Sequence, residues 1–518
     1  MKFIRFAEWR INQTGEGVLG YITNHGYLDN PTFRGMRQHL METFDEIYVL
    51  DLHGNSKKKE KAPDGGKDEN VFDIQQGVAI MLAVKVKSRA GEAKKAPARV
   101  FHADLWGRRE IYDGEQLTGG KYHWLWQNSA ETTPWQELQP SSPFHLFKPQ
   151  DTELRTEYEG GWKATEIMPV NTVGVVTSKD ASTIAFTPPE ATALATIHKL
   201  SPTVVRSFLY RPFDFRYIVY DKKVVARSRY NVMRHMIPGQ NIARHMLGGE
   251  NVALLISRQA LTDFRHAFVS DKITNKNNID IAGRFGSGYH FPLYLYPLPD
   301  ELDAEAGRRP NISPAFLKAL AEKLKAPQEA PHGLPAGVTP EDIFHYAYAV
   351  FHSPTYRKRY AEFLKIDFPR LPLTSNRDMF FSLAALGGEL VGLHLMESPK
   401  LNDLITEFPE KGSDAVEKVT FAVDADLRAA SDSGRVWINP TQYFGGVPAA
   451  VWSFHIGGYQ VCEKWLKDRK GRTMTYEDIQ CYQKIVVALN ETIRLMAEID
   501  KVIETQGGWP TAFSGNKT

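Results

Sequence analysis

The chain has 518 residues, a formal net charge of +2 at pH 7 and a hydrophobic content of 42%. This length exceeds what one hydrophobic core supports, so we expect two to four domains. The overall charge gives no argument for nucleic acid, two cysteines do not make a disulfide framework, and no apolar run reaches the roughly 18 residues of a membrane span. We therefore expect a protein of the reducing cytoplasm that has no membrane partner.

The first hundred residues alternate between the two hydrophobic periods. Helices are predicted from apolar residues at helical spacing and from a Pro at the helix start. Strands are predicted from short apolar runs bounded by Gly or polar residues. In chain order they predict a helix at 2–12, a buried strand at 18–23, a helix from Pro31 to Phe44, and strands at 47–52 and 77–85. This order is typical of an α/β layered domain.

A lysine-rich loop interrupts this pattern between residues 55 and 70. It contains Lys57, Lys58, Lys59, Lys61 and Lys67. Such a charge run is most often a solvated loop. The alternative is contact with DNA phosphates, and the sequence leaves both readings open.

Residues 201–290 form a locally basic segment, with 14 Lys and Arg residues against six Asp and Glu residues. Arg can bond guanine bidentately, and Asn can do the same to adenine. The loops of this segment supply the candidate DNA-binding side chains, which are Arg227, Arg229, Arg258, Gln259, Lys276, Asn277 and Asn278, together with Arg211. Arg211 and Arg216 flank Asp214, so an internal Arg–Asp pair is an equal alternative to DNA contact there. Which side chains read bases and which contact phosphates stays open.

Helices are predicted in the C-terminal part. Residues 325–340 contain four prolines and form a predicted loop, after which Thr339 caps a helix. Thr475 caps a longer helix, whose apolar residues alternate by three and four. That short seam predicts packing within its own domain or, alternatively, a coiled-coil contact with a partner.

Two sets of short sequence stretches resemble known protein families. Residues 17–86 include Gly17-Val-Leu-Gly-Tyr-Ile-Thr-Asn-His-Gly26 and Asn70-Val-Phe-Asp-Ile74, and resemble the later half of N6-adenine DNA methyltransferases. Arg211-Pro-Phe-Asp-Phe-Arg216, Phe291-Pro-Leu-Tyr-Leu-Tyr296 and Phe454-His-Ile-Gly-Gly-Tyr459 resemble the C-terminal specificity region of type ISP restriction-modification enzymes, a class of phage-defence enzyme.

The resemblance implies a fold class and a domain division. The fold class is α/β, a partial Rossmann-like methyltransferase sheet followed by a mixed α+β target-recognition region with C-terminal helices. The implied domains are the methyltransferase half at 1–135 and the recognition region at 136–518, with a subdivision near 325–340. The implied partners are duplex DNA and the missing methyltransferase half, on the same or a separate chain.

Two elements of the methyltransferase family are missing from this sequence. There is no glycine-rich turn for S-adenosylmethionine and no Asn-Pro-Pro-Tyr loop for the adenine amino group. S-adenosylmethionine is therefore the expected cofactor of the complete enzyme only, and this chain alone should not methylate, translocate or cut DNA.

Phe72 is the catalytic-domain residue that the resemblance carries over. In the family an aromatic at this place packs on an adenine flipped out of the duplex. The alternative is that Phe72 is a core residue beside Val71 and Ile74. Asn24 and His25 end the first predicted strand, where ligand sites form in α/β sheets; His25 is more simply read as structural.

Three hypotheses follow. The first is sequence-specific duplex DNA recognition as part of an adenine-N6 methyltransferase. The second is a specificity subunit completed by a separate catalytic polypeptide, which joins the sheet at the edge near 18–23. The third is a protein-interaction module without DNA affinity that uses its C-terminal helix.

Overall fold

The computed structural model of the chain describes residues 2–56, 60–87, 96–237, 251–260, 262–281, 287–297, 307–423 and 433–514. The chain divides into two compact units, Met1–Arg155 (unit 1) and Thr156–Thr518 (unit 2). The functional boundary between residues 135 and 136 that the resemblance implies stays a prediction.

Unit 1 contains one main sheet with helices on it. Its described strands are β1 (Gly17–Asn24), β2 (Glu46–Asp51), β3 (Val78–Lys85), β4 (Arg99–Asp104), β5 (Ile111–Asp113), β6 (Gln116–Gly119) and β7 (Gln136–Leu138). The helices are α1 (Lys2–Thr14), α2 (Arg34–Thr43) and α3 (Gly120–Gln127), and α4 (Thr152–Glu159) runs across the unit boundary. The predicted helix, strand, helix, strand, strand order is confirmed.

The five strands of the main sheet lie in the order β1-β3-β2-β4-β7. Strand β3 is antiparallel to both β1 and β2, and β4 is parallel to β2, so β1, β2 and β4 all run in one direction. Asn24, Asp51 and Asp104 therefore end their strands at the same end of the sheet. Ile4 and Ile11 of α1 and Leu40 of α2 are buried in the core of this sheet.

The prediction of a buried strand at 18–23 is wrong in one respect. Strand β1 forms, but Val18 is 66% and Ile22 is 40% exposed, and Leu19 is its one fully buried residue. The reason is position, because β1 is an edge strand of the described sheet and pairs there with β3 alone. An apolar run predicts a strand but does not reveal how many neighbours cover it.

Unit 2 is a mixed region of small sheets and helices. Its described strands are β8 (Trp162–Lys163), β9 (Thr172–Val173), β10 (Ile184–Ala185), β11 (Val205–Arg211), β12 (Asp214–Val219), β13 (Ala253–Ser257), β14 (Ala267–Ser270), β15 (Ile273–Thr274), β16 (Gly288–Pro292), β17 (Tyr294–Leu295), β18 (Arg309–Pro310), β19 (Gln328–Glu329), β20 (Leu334–Pro335), β21 (Arg370–Leu371), β22 (Thr420–Val423), β23 (Ser433–Trp437), β24 (Tyr443–Pro448), β25 (His455–Ile456) and β26 (Tyr459–Gln460).

The described helices of unit 2 are α5 (Ala164–Ile167), α6 (Asp180–Thr183), α7 (Pro188–Ile197), α8 (Tyr230–Met233), α9 (Pro314–Leu324), α10 (Pro340–His352), α11 (Pro354–Arg359), α12 (Ala361–Leu364), α13 (Arg377–His394), α14 (Ala449–Trp452), α15 (Val461–Lys467) and α16 (Tyr476–Thr505). Together with the sheet of unit 1, this architecture confirms the predicted fold class. The predicted loop at 325–340 holds the short hairpin β19–β20.

Two four-stranded sheets position the loops of the basic segment. Their strand orders are β10-β12-β11-β15 and β14-β13-β16-β9. Phe208, Ile218 and Ile273 of the first sheet and Ala253 of the second share one buried cluster. The two sheets therefore belong to a common core, and their loops are held on a packed base.

The longest helices pack on one another. Thr339 and Thr475 cap α10 and α16 as predicted, each with its hydroxyl accepting from the amide of the third helical residue. Tyr482, Val486 and Leu489 of α16 are buried, and α16 packs against α13 within unit 2. The apolar seam of α16 is thus used inside its own unit. None of the described helices is both long and apolar enough to cross a membrane.

Candidate nucleic-acid interface

The loop between β2 and β3 carries Phe72 on an ordered turn. The Asn70 side chain accepts a hydrogen bond from the Phe72 amide (2.9 Å), and its Nδ2 donates to the Gln76 carbonyl (2.7 Å). Val71 is buried, but the Phe72 side chain is 45% exposed. The alternative that Phe72 is a core residue is therefore wrong, while its stacking role stays a prediction.

The two ends of this loop are closed by glycines. A Cβ on Gly54, whose φ is +80°, would lie 2.3 Å from the Asn70 Cα, and a Cβ on Gly77 would lie 2.5 Å from the His25 ring. Only glycine permits approaches this close. The two ends of the loop are therefore packed closely against Asn70 and the His25 ring, whereas residues 72–76 between them are exposed.

A buried polar network lies under the same loop. His25 Nδ1 is 2.9 Å from the Asp51 carboxylate, and Lys148 Nζ is 3.2 Å from its other oxygen. Burial opposes ionisation of Asp51, but Lys148 and His25 outweigh it and hold the pKa of Asp51 well below its usual range. Burial lowers the pKa of Lys148, yet Asp51 more than compensates and the net shift is upward. His25 is thus a structural partner of Asp51, buried at the strand end.

One trio in this network has ligand types that suit a metal ion. Oxygen and nitrogen atoms of Asp51, His53 and Asp104 lie within 4.8 Å of one another. The Lys148 ammonium already supplies the positive charge beside Asp51, and His53 Nε2 is 2.7 Å from Asp104. We therefore assign no metal to these residues.

In unit 2, one extended segment joins the loops of the basic region. This segment is residues 172–176. Its first two residues form β9, which pairs with β16. Its last two residues contact the loops that follow β12 and β15. Val175 accepts from the Lys276 amide (2.9 Å), and Val176 exchanges two backbone hydrogen bonds with Arg227 (3.0 and 3.1 Å). The loops of Arg227 and Lys276 are therefore fixed side by side, although 49 residues separate them.

The loop of Arg258 joins the same frame. Ser257, the last residue of β13, lies opposite Gly288 of β16. The Gly288 amide donates to the Lys276 carbonyl (3.0 Å), and its carbonyl accepts from Gly174 (3.1 Å). We call this arrangement the 172–176 frame, meaning residues 172–176 with the backbone of Arg227, Lys276, Ser257 and Gly288 that it connects.

The predicted DNA-binding side chains differ in accessibility. Arg227 and Arg258 are exposed, four are half-buried, and Arg211 and Asn278 are buried; the half-buried ones are Arg229, Gln259, Lys276 and Asn277. Arg258 Nε donates to Asp367 (3.0 Å), and Gln259 donates to the Ile366 carbonyl (3.1 Å). The surface candidates of the frame are thus Arg227, Lys276 and Arg258.

The structure gives Arg211 internal partners. Its guanidinium lies 3.8 Å from the centre of the Tyr210 ring and donates to Asn275 Oδ1 (3.1 Å). Asp214 instead pairs with Arg216, at 2.6 Å. The internal role considered for Arg211 is therefore met by Asn275 and Tyr210 rather than by Asp214.

Asn278 and Arg229 have unusual local settings. Asn278 is fully buried, and neither polar atom of its amide has a hydrogen-bond partner among the described residues. A Cβ on Gly288 would lie 1.8 Å from the Asn278 Oδ1. Arg229 has a φ of +55° and is the N-cap residue that precedes α8. The DNA roles of all eight candidates stay predictions, and Lys57, Lys58, Lys59, Arg244 and Arg284 lie outside the described residues.

Sequence reasoning missed the residues that hold these loops. Asn275 accepts from Arg211 and from the Asn277 amide (2.8 Å), and Asp367 binds both Arg258 and Lys163. No spacing rule connects Asp367 with Arg258, which is 109 residues away. Only the three-dimensional structure reveals such pairs.

Comparisons with known proteins identify the family of this chain and structures of similar fold. Residues 191–498, more than half of the chain, match the family model described as "Type ISP C-terminal specificity domain". No curated protein matches the chain.

Three solved structures share the fold. They are the cryoEM structure of the DrdV–DNA complex (TM-score 0.68, 20% identity), a nuclease-deletion mutant of the type ISP restriction-modification enzyme LlaGI in complex with a DNA substrate mimic (0.64, 18%), and the ATP-dependent type ISP restriction-modification enzyme LlaBIII bound to DNA (0.65, 18%). Each match covers 96% of this chain but 51%, 40% and 33% of the respective structure.

The fold and the family match define a specificity module of the restriction-modification class. This chain belongs to the type ISP C-terminal specificity domain family. The resemblance to the C-terminal part of a type ISP enzyme is thereby confirmed. The chain spans about half of the DrdV structure and less of the other two, so the activity of a complete enzyme is a matter for proposal.

Proposed function

We propose that this chain binds duplex DNA sequence-specifically, as the target-recognition part of an S-adenosylmethionine-dependent adenine-N6 DNA methyltransferase of a restriction-modification system. The 172–176 frame carries this proposal, because it places three loops with exposed or half-exposed cations side by side inside the family-matched region. The DNA-bound state of the three similar structures supports the same partner.

The chemistry of the frame suits DNA in two ways. Arg227 and Lys276 extend from loops that main-chain hydrogen bonds hold. Long cations on fixed loops can neutralise phosphates, and an Arg can also bond the guanine edge in the major groove. Asp367 orients the Arg258 side chain through its Nε. We assign no residue of this chain to S-adenosylmethionine, because the sequence lacks the glycine-rich turn that would bind it.

The test is selection from a pool of random duplexes, with the missing methyltransferase half supplied. We expect an enriched sequence at moderate salt for the unaltered chain. The double variant Arg227→Ala, Lys276→Ala should bind that sequence about tenfold more weakly and with a salt slope shallower by about 1 to 2, since about two phosphate or base contacts are lost.

The control uses two exposed cations elsewhere in unit 2. Lys318 and Lys501 are 71% and 72% exposed and make only long pairs with Glu322 and Glu498. Lys318→Ala, Lys501→Ala should leave both affinity and salt slope unchanged. Failure to enrich any sequence, or equal losses in the two double variants, would refute the proposal.

The second candidate is a specificity subunit that a separate catalytic polypeptide completes. The supporting observation is the edge of β1, which pairs with β3 alone in the described sheet and where Val18 and Ile22 are exposed. A further strand could pair with this edge and cover these apolar side chains. The protein-interaction hypothesis based on the C-terminal helix finds less support, because α16 buries its apolar residues within unit 2.

A further inference from the structure

A fully buried ion pair lies beneath the Phe72 turn. Lys121 and Asp68 both have no exposed side-chain surface, and Lys121 Nζ is 2.7 Å from Asp68 Oδ1. The ammonium also donates to the carbonyls of Leu52 (2.7 Å) and Glu69 (2.6 Å). All three ammonium hydrogens thus have acceptors, which is what a buried Lys requires.

Asp68 is equally well bonded. Its Oδ2 accepts from the Gly54 amide (2.6 Å), and its Oδ1 accepts from the Gly107 amide (2.9 Å). Together, Lys121 and Asp68 connect the end of β2, the loop that carries Phe72, the chain after β4 and the first turn of α3. The ion pair thus joins positions of the chain that lie up to 69 residues apart.

The flanks of Phe72 are bonded to the same neighbouring segment. The Tyr122 hydroxyl donates to the Val71 carbonyl, and Arg109 Nη1 donates to Asp73 at 2.7 Å. The Glu69 amide donates to the Gly107 carbonyl (2.9 Å). Residues on both sides of Phe72 are therefore held from outside the loop, while the Phe72 ring itself is left exposed.

Stability alone does not explain such a pair. Desolvation of two charges offsets most of their attraction, and apolar residues of similar volume are often as stabilising as a buried ion pair. What an ion pair with fixed acceptors adds is a defined geometry. Here, the ion pair fixes the geometry of a turn that carries an exposed aromatic ring.

We propose that Lys121 and Asp68 are positioning residues that hold the Phe72 turn ready to stack on an unpaired base. This inference rests on the proposed function and on the stacking role that the family resemblance implies for Phe72, and adds to them the pair that sets the position of the ring. A rigid aromatic receives a base without a cost of ordering the loop on binding.

The test is photo-cross-linking of the full chain to DNA, again with the missing methyltransferase half supplied. The probe is the sequence selected above, with 5-iodouracil replacing the target adenine opposite an abasic site, which lowers the cost of extruding the base. Cross-linked residues are identified by mass spectrometry. We expect a cross-link at Phe72 in the unaltered chain and its loss in Phe72→Ala.

Three variants separate positioning from stability. Asp68→Asn, Lys121→Met removes both charges, and should lower the yield at Phe72 at least fivefold while affinity for the DNA stays the same. Lys121→Gln keeps two of the hydrogen-bond donors and replaces the double variant if that variant does not fold. We expect its cross-link yield at Phe72 to lie between those of the unaltered chain and the double variant. Leu40→Ala weakens the unit 1 core away from the loop and should unfold at lower urea concentration with an unchanged yield.

The outcomes distinguish the inference from the function on which it rests. An unaltered cross-link in Asp68→Asn, Lys121→Met or in Lys121→Gln would overturn the positioning role and leave DNA recognition intact. Binding of the selected sequence without any cross-link at residue 72 would also overturn it. Absence of a selected sequence would instead reject the proposed function itself.

Discussion

At the scale of single residues, close approaches decide how the Phe72 loop lies. Gly54 combines a positive φ with a contact that leaves no room for a Cβ against Asn70. Gly65 lies in the same loop with a φ of +83° but has open space at its Cβ position. Comparing alanine substitutions at the two glycines therefore distinguishes the cost of backbone strain from the cost of steric overlap.

We expect Gly54→Ala to lower the free energy of unfolding of unit 1 by about 2–4 kcal/mol, since strain and overlap add. Gly65→Ala should cost only about 1 kcal/mol, which is the strain alone. Urea unfolding of both variants, followed by amide hydrogen exchange in residues 68–77, provides the measurement. Equal losses in the two variants would show that the approach to Asn70 is not tight.

Residue identity predicted part of the candidate site and missed the rest. Phe72 could be named from the family resemblance, and the cations at 227, 258 and 276 could be named because their chemistry and loop positions show in the sequence. The burial of Asn278 could not, because burial depends on Gly288, ten residues later, and on the pairing of β16. Lys121 was also invisible, since nothing in a helix-forming stretch signals that its ammonium faces inward onto Asp68.

At the scale of elements, strand order explains what periodicity could not. The apolar runs predicted three strands correctly, but the order β1-β3-β2 puts the first of them at an edge. Helix starts were predicted most reliably, as at Thr339 and Thr475, because a cap is a local signal of a few residues. Pairings such as those of the 172–176 frame are non-local and have no comparable signature.

The edge of β1, which is unpaired in the described sheet, leads to a prediction about the methyltransferase half that we propose as a partner. We expect Val18→Lys, Ile22→Lys to prevent co-purification of this chain with the methyltransferase half, because charged side chains on an edge disfavour strand addition. Ile111→Lys, at a residue of β5 that is 47% exposed, is the control and should co-purify normally. Retention of the half by the double variant would indicate that it binds elsewhere.

At the scale of the whole molecule, buried histidines predict acid sensitivity. Burial lowers the pKa of His290 and of His394 to about 3. Both are neutral in the folded state down to that pH, whereas in the unfolded chain they take up protons below about pH 6.5. The unfolded state therefore binds more protons between these values, and stability falls as the pH falls through this range.

Each of the two histidines should contribute about 1.4 kcal/mol per pH unit to this loss. Urea unfolding of unit 2 at pH 7.0 and 5.5 measures it, and the midpoint should be lower at pH 5.5. His290→Gln removes one titrating group, so its midpoint should change less between the two pH values. An identical change in the variant and the unaltered chain would exclude His290 as a source.

The 172–176 frame has a consequence for how such modules diversify. Its links to Arg227 and Lys276 are main-chain hydrogen bonds, which form with any residue except proline, whereas Gly174 and Gly288 leave no room for a Cβ. Side chains on these loops can therefore be exchanged during evolution without loss of the scaffold. Within one lineage, a few point substitutions would suffice to change the DNA sequence that the module recognises. The same positions are the natural place to begin its redesign.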